Sequence, residues 1–208
     1  MDRETILDRY RALMEEIKWR SQIIGSAHTL PLPRLGAVAE LSYLQLRMVC
    51  EVIALGCLLV HGDVPGSRTV RLRTTSKADF IIKALEKLHS EFYPVPCEIR
   101  YDLNNQPWAI INDPIDNKPI LDKPSLLSLY YECGSFLHRG DLDFVLPATI
   151  RTVKLNTIQN WLAKITNLLQ NHEIQLANGG KLLIDMHGPK DFAAAYIMRD
   201  TGKTIWGF

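Results

Sequence analysis

The chain has 208 residues, 47% of them apolar and 23% charged, which suits one domain large enough to bury a core. Its 24 Lys and Arg against 23 Asp and Glu leave a net charge of +1. That balance excludes a global pull toward nucleic acid or acidic lipid, so any such binding must come from a local patch.

The four cysteines, Cys50, Cys57, Cys97 and Cys133, form no C-x-x-C pair and show no zinc-type spacing with histidine. Cys50 and Cys57 share a helix face inside an apolar run. They read as buried, inert thiols of a reducing cytoplasm. The N-terminal MDRETILDRYR is charged throughout and is no signal peptide. The most apolar run, Met48 to Val60, is interrupted by Glu51 and is too short to span a bilayer. A cytoplasmic chain with no membrane attachment is expected.

Residues 3–26 carry Ile6, Tyr10, Leu13, Ile17 and Ile24 at helical spacing, the mark of a long amphipathic helix. Pro31 and Pro33 then break it. A second helix runs from about Leu35 to Val60. It is apolar nearly all round and should be the central, most buried element. It stops at His61-Gly62-Asp63, with Pro65 beyond and Gly62 as the expected left-handed cap.

Ser76 and Asp79 have the spacing of a capping box for a third helix, with Phe80, Ile81, Ala84, Leu85 and Leu88 inward. Residues 90–122 hold five prolines and form a long connection. Within it Ile99, Tyr101 and Leu103 alternate, Asn104-Asn105 turns, and Trp108 and Ile110 return, which predicts a hairpin. Asp122 and Pro124 are an N-cap and a first-turn proline for a fourth helix ending at His138. A fifth helix, about 148–171, carries Ile158, Trp161, Leu162, Ile165 and Leu169.

Near residue 172 the hydrophobic period shifts from 3.6 to 2. KLLIDMH and FAAAYIMR, bounded by turns at Asn178-Gly179-Gly180 and Gly188-Pro189-Lys190-Asp191, read as strands. The expected fold is α+β, mainly α. A five-helix bundle spans 1–172, and a small C-terminal antiparallel sheet spans 173–208.

Three groups of residues carry candidate chemistry. ECGSFLHRGD, residues 132–141, closes the fourth helix. His138 there complements the helix dipole, and Gly140 offers a left-handed cap. His138 also falls at the edge of the helix's inward set of Leu126, Leu127, Tyr130, Cys133, Gly134 and Leu137. From there it could face Arg47 and Glu51 across the bundle. The stretch echoes a kinase catalytic loop only in its letters, since no Asn follows and no glycine-rich loop precedes it. His138, Asp141 and Asp143 are solvated turn residues in type, and no metal is expected.

Arg47 and Glu51 stand four apart on the central helix, with Glu40 and Tyr43 on nearly the same face. Burying charges is costly, so they read either as a salt bridge or as a polar site inside the bundle. Arg68, Arg71, Arg73 and Lys77 lie in SRTVRLRTTSK, whose alternating arginines suggest an extended basic edge. It is either a solvated loop or a contact for phosphates, and no aromatic residue interleaves to stack bases. Neither a P-loop nor a G-x-S-x-G nucleophile motif is present, and no cofactor is expected.

A helical bundle whose central apolar helix bears a polar pair, with a later helix ending in Leu-His-x-Gly, resembles the HEPN superfamily. That family's motif is an arginine, four to six residues, then a histidine near a helix end. His138 takes the histidine's place here. Cys133 stands where the arginine would be, and Arg139 follows the histidine instead. The resemblance implies a homodimer, and an RNA-targeting component of a toxin–antitoxin or antiphage system. Such a component is either a metal-independent ribonuclease or an inactive RNA-binding module. In an active version His138 would move the protons and Arg139 or Arg47 would stabilise the developing phosphate charge. The alternative is a non-catalytic interaction and dimerisation module, with a protein partner added at the edge of the C-terminal sheet.

Overall fold

The computed structural model describes residues 3–31, 35–67, 69–101, 107–111, 118–138, 155–188, 191–198 and 204–207. The first helix, α1 (Arg3–Ser26), buries Leu7, Tyr10, Met14, Ile17 and Ile24. These recur every three or four residues, so one stripe faces inward. It packs along α2 (Leu35–Val60), the central element, whose buried set runs from Val38 through Leu46, Cys50 and Ala54 to Cys57. Gly56 allows the two helices to meet closely. A Cβ there would stand 3.1 Å from Cε2 of Tyr10.

From Gly36 to Val60 α2 is long and apolar enough to cross a membrane, an 18-residue window within it having mean hydropathy 1.8. The shorter run from Met48 understates it. In the fold 61% of that window is buried inside the protein, as expected for a core helix.

A single turn, α3 (Val70–Arg73), follows, capped by the Thr69 hydroxyl, which accepts from the Leu72 N–H. In α4 (Ala78–Leu88) the expected capping box does not form. Lys77 is the N-cap residue and gives no side-chain cap, while its own N–H bonds to Thr75 Oγ1. Ala78, Ile81, Ile82 and Leu85 face inward. α5 (Lys123–Leu137) begins as expected, with Asp122 Oδ1 accepting from the Ser125 N–H at 2.9 Å. α6 (Leu155–Leu169) buries Ile158, Ile165, Leu168 and Leu169. The start expected for it near 148 lies outside the described residues.

The C-terminal strands form the expected antiparallel sheet, but it reaches back into the proline-rich connection. Its order is β1 (Val95–Pro96), β4 (Asn171–Gln175), β5 (Lys181–Asp185), β6 (Ala194–Met198), β7 (Thr204–Gly207). The predicted hairpin is β2 (Glu98–Tyr101) against β3 (Pro107–Ile111), with Ile99 opposite Ile110. One face of the sheet, with Ile174, Leu182, Ile184 and Ile197, joins the same core as α1 and α2. On the other, Leu183, Ala194, Tyr196 and Met198 pack with Cys97 and Ile99. Burial on both faces is why β5 and β6 read as continuous apolar runs rather than strict alternation.

Gly62 does not take the left-handed cap expected of it. Its N–H bonds to the Leu59 carbonyl, and the positive φ in this turn falls at Gly66 (φ +90°). Gly140, the cap expected for α5, lies outside the described residues.

Candidate functional site

Arg47 and Glu51 pair within α2, with Nε 3.3 Å from Oε1. The guanidinium lies over the Tyr130 ring of α5, 4.3 Å from its centroid, and Nη2 donates to the Tyr130 hydroxyl at 2.9 Å. Gly134, one turn along α5, makes room: a Cβ there would stand 3.1 Å from Nη1. Burial pushes the Glu51 carboxyl up from its ordinary value. Arg47, the Tyr130 hydroxyl and Arg20 pull it back. Arg20 of α1 bonds Glu16 at 2.6 Å and Gln45 at 2.7 Å. The pair therefore belongs to a polar band joining α1, α2 and α5. Beside it, Glu132 accepts from Tyr43 at 2.6 Å and from Trp161 at 3.1 Å, which ties α6 to the band.

His138 stands apart from this band. Tyr43 stacks on Phe136 while Arg47 meets Tyr130, so α5 runs antiparallel to α2. His138 lies two helical turns beyond Tyr130, roughly 12 Å along the axis. It is the C-cap residue, with ψ 138°, and its N–H bonds the Gly134 carbonyl at 3.0 Å. Its side chain is exposed rather than at the edge of the buried face. Helix spacing placed it near that edge, but the backbone leaves the helix at this residue and turns the side chain outward. Arg139, Asp141 and Asp143 lie outside the described residues.

The basic edge is not extended. Arg71 and Arg73 sit on the single turn of α3, and Lys77 precedes α4. Arg71 lies 4.4 Å over the Phe80 ring, an aromatic partner that sequence adjacency concealed. Arg68 lies outside the described residues.

Arg73 instead meets two arginines that the sequence did not single out. With Arg3 and Arg9 of α1 it borders a cleft of about 750 Å³ between α1, the end of α2 and the sheet. The lining is aliphatic, with Ile6, Leu55, Leu58, Leu59, Leu176, Leu182 and Ile197. Asp63, Ser67 and Asn178 add polar groups. Among the described residues none of the three arginines makes an ion pair. The available signal was Arg3, Ile6 and Arg9 at three-residue steps on one side of α1.

Two histidines prove to be buried. His61, 1% exposed, does cap α2, its Nδ1 lying 2.8 Å from the Cys57 carbonyl. Its Nε2 also reaches the Gln175 carbonyl of β4 at 3.0 Å, so it bridges helix to sheet. His172 is fully buried. Its Nδ1 faces the Leu169 carbonyl at 2.9 Å, and its Nε2 faces the Tyr10 hydroxyl at 2.9 Å. Burial lowers both imidazoles below their ordinary value, His172 to about 4. Among the described residues no three His, Cys, Asp or Glu side chains converge as a metal site.

Compared with known proteins, the chain matches no family model, no curated protein and no solved structure.

Proposed function

We propose that the chain is a non-catalytic binding module whose cleft holds a small organic anion with an aliphatic body. The observation that carries this is the set of three arginines, Arg3, Arg9 and Arg73, which make no ion pair among the described residues, around an aliphatic lining. The volume falls in the range of small-molecule sites. Guanidinium groups recognise carboxylate, sulfate or phosphate through charge-assisted hydrogen bonds, and leucines accept a hydrocarbon chain. The free, buried thiols fit a reducing cytoplasm for this role. Arg47 and Glu51 act in this reading as a brace between helices.

The test is calorimetric titration with octyl sulfate. Arg9→Ala and Arg73→Ala should each weaken binding about tenfold or more, the loss expected for a charge-assisted contact. Equal affinity in both variants overturns the assignment.

Arg71 favours a second reading, RNA binding. Its guanidinium lies over Phe80 on an exposed residue, with Arg73 on the same turn and Lys77 just before α4 for phosphates. If RNA is the ligand, Arg71→Ala and Lys77→Ala should lower the salt slope of oligonucleotide binding by about one unit per lost contact. Octyl sulfate would then compete poorly. A ribonuclease centre at His138 draws no support from Arg47, which is committed to Glu51 and Tyr130 on another level of the bundle.

A further inference from the structure

We propose that His61 makes this cleft pH-sensitive, so that it binds its anion more tightly as pH falls. The inference rests on the cleft being an anion site. Its basis is geometric. Both ring nitrogens of His61 face carbonyl oxygens, Cys57 at 2.8 Å and Gln175 at 3.0 Å. A carbonyl only accepts, and a neutral imidazole has one N–H. Only the imidazolium donates to both. In the neutral ring one of the two contacts sets lone pair against lone pair.

The two contacts also join two walls of the cleft. Val60, Gly62 and Asp63 flank His61 and line it from the end of α2. Leu176, the residue after β4 and next to Gln175, lines it from the sheet side. Protonation therefore ties the helical wall to the sheet wall and adds a positive charge behind them. Deprotonation releases one tie and removes the charge.

The surroundings set where this happens. Burial favours the neutral ring. The two carbonyls and Asp63 favour the charged one, and His89, its ring 5.0 Å away, opposes it. Phe92 closes the remaining side, 6.4 Å between centroids. On β4, Glu173 lies two residues from Gln175 and pairs with Lys181 at 2.8 Å, which offsets its charge. The net direction is downward from the ordinary value, with burial the largest cause, so the ring is neutral at pH 7 and gains its proton only below the ordinary histidine range.

Octyl sulfate keeps its charge across this range, so its affinity reports the protein alone. Titrated from pH 7.5 to 5, the protein should bind it roughly fivefold more tightly, the effect of one added charge near the site. His61→Gln should flatten that dependence, while His89→Gln should keep most of it. A flat profile in the wild type, or an unflattened one in His61→Gln, overturns the proposal. If octyl sulfate does not bind at any pH, the reading of the cleft as an anion site fails separately. Proton NMR of the unliganded protein still decides the coupling. The Leu176 and Val60 methyl resonances should shift with the His61 titration. If His61 titrates and those methyls stay still, or His61 does not titrate above pH 4, the proposal is overturned.

Discussion

Tyr10 on α1 and His172 on β4, 162 residues apart in the chain, share a fully buried hydrogen bond of 2.9 Å that joins the first helix to the sheet. The tautomer follows from the partners. The Leu169 carbonyl accepts only, so Nδ1 carries the hydrogen and Nε2 accepts from the Tyr10 hydroxyl. Full burial disfavours the charged imidazolium and keeps the ring neutral.

The consequence is a stability that falls on acidification. The His172 pKa is about 4 in the folded chain and near 6.5 when unfolded. Between those values the unfolded state binds more protons, so stability rises with pH across that window. His172 contributes fully above pH 6.5 and loses its contribution by pH 4, about 3 kcal/mol in all. His61, also lowered, acts in the same direction. Urea unfolding at a series of pH values should show the slope, and His172→Asn should reduce it. An equal slope in the variant would remove His172 as the cause.

The same tyrosine makes Gly56 a demanding position. Alanine normally stabilises a helix interior by about 0.5–1 kcal/mol over glycine. At residue 56 the new methyl would stand 3.1 Å from Cε2 of Tyr10, a ring pinned by His172 and fully buried. Overpacking of this kind costs about 1–3 kcal/mol, so Gly56→Ala should be net destabilising. At Gly134 the same 3.1 Å approach meets Nη1 of Arg47, the far end of a flexible side chain. Gly134→Ala should therefore be near neutral. Thermal unfolding of the two variants should place Gly56→Ala clearly lower. The opposite order would show that Tyr10 is not held as described.

Sequence periodicity located the long helices because their cores are built from contacts three and four residues apart. Asp122 was readable as a cap because its bond to Ser125 is local. Strands β5 and β6 were readable from their β-forming composition. The cleft was not readable, because Arg3 and Arg9 reach Arg73 only once α1 lies beside the end of α2. His61 and His138 end helices with nearly the same letters, yet one is buried and the other exposed. What separates them is β4, which covers the end of α2 and supplies the Gln175 carbonyl. Arg71 and Arg73 misled because alternating charges resemble a strand, whereas the Thr69 cap closes a helical turn around them.

The last expectation sets His138 against Arg47, the two residues that the sequence placed in one site. His138 closes α5 with an exposed side chain. If helix capping is its role, His138→Ala costs at most about 0.5–1 kcal/mol. Arg47 is different. Its loss leaves Glu51, 15% exposed, without its nearest cation, and strips the stacking partner from Tyr130. Removing one member of a buried pair costs about 3–5 kcal/mol. Arg47 is 27% exposed, so water recovers part of that, and Arg47→Ala should cost about 1–3 kcal/mol. Replacing both, as in Arg47→Met with Glu51→Met, should restore much of the loss, because no charge is then stranded. Octyl sulfate binding should be unchanged in all three, since these residues lie outside the cleft. Urea titration measures the stability order, and incubation with RNA measures cleavage beside it. If wild-type protein cleaves RNA and His138→Ala abolishes cleavage with the fold intact, His138 is catalytic and the binding-module reading falls. If His138→Ala is mild, Arg47→Ala is the costlier change, and neither alters octyl sulfate binding, the pair is the brace and the histidine is the cap.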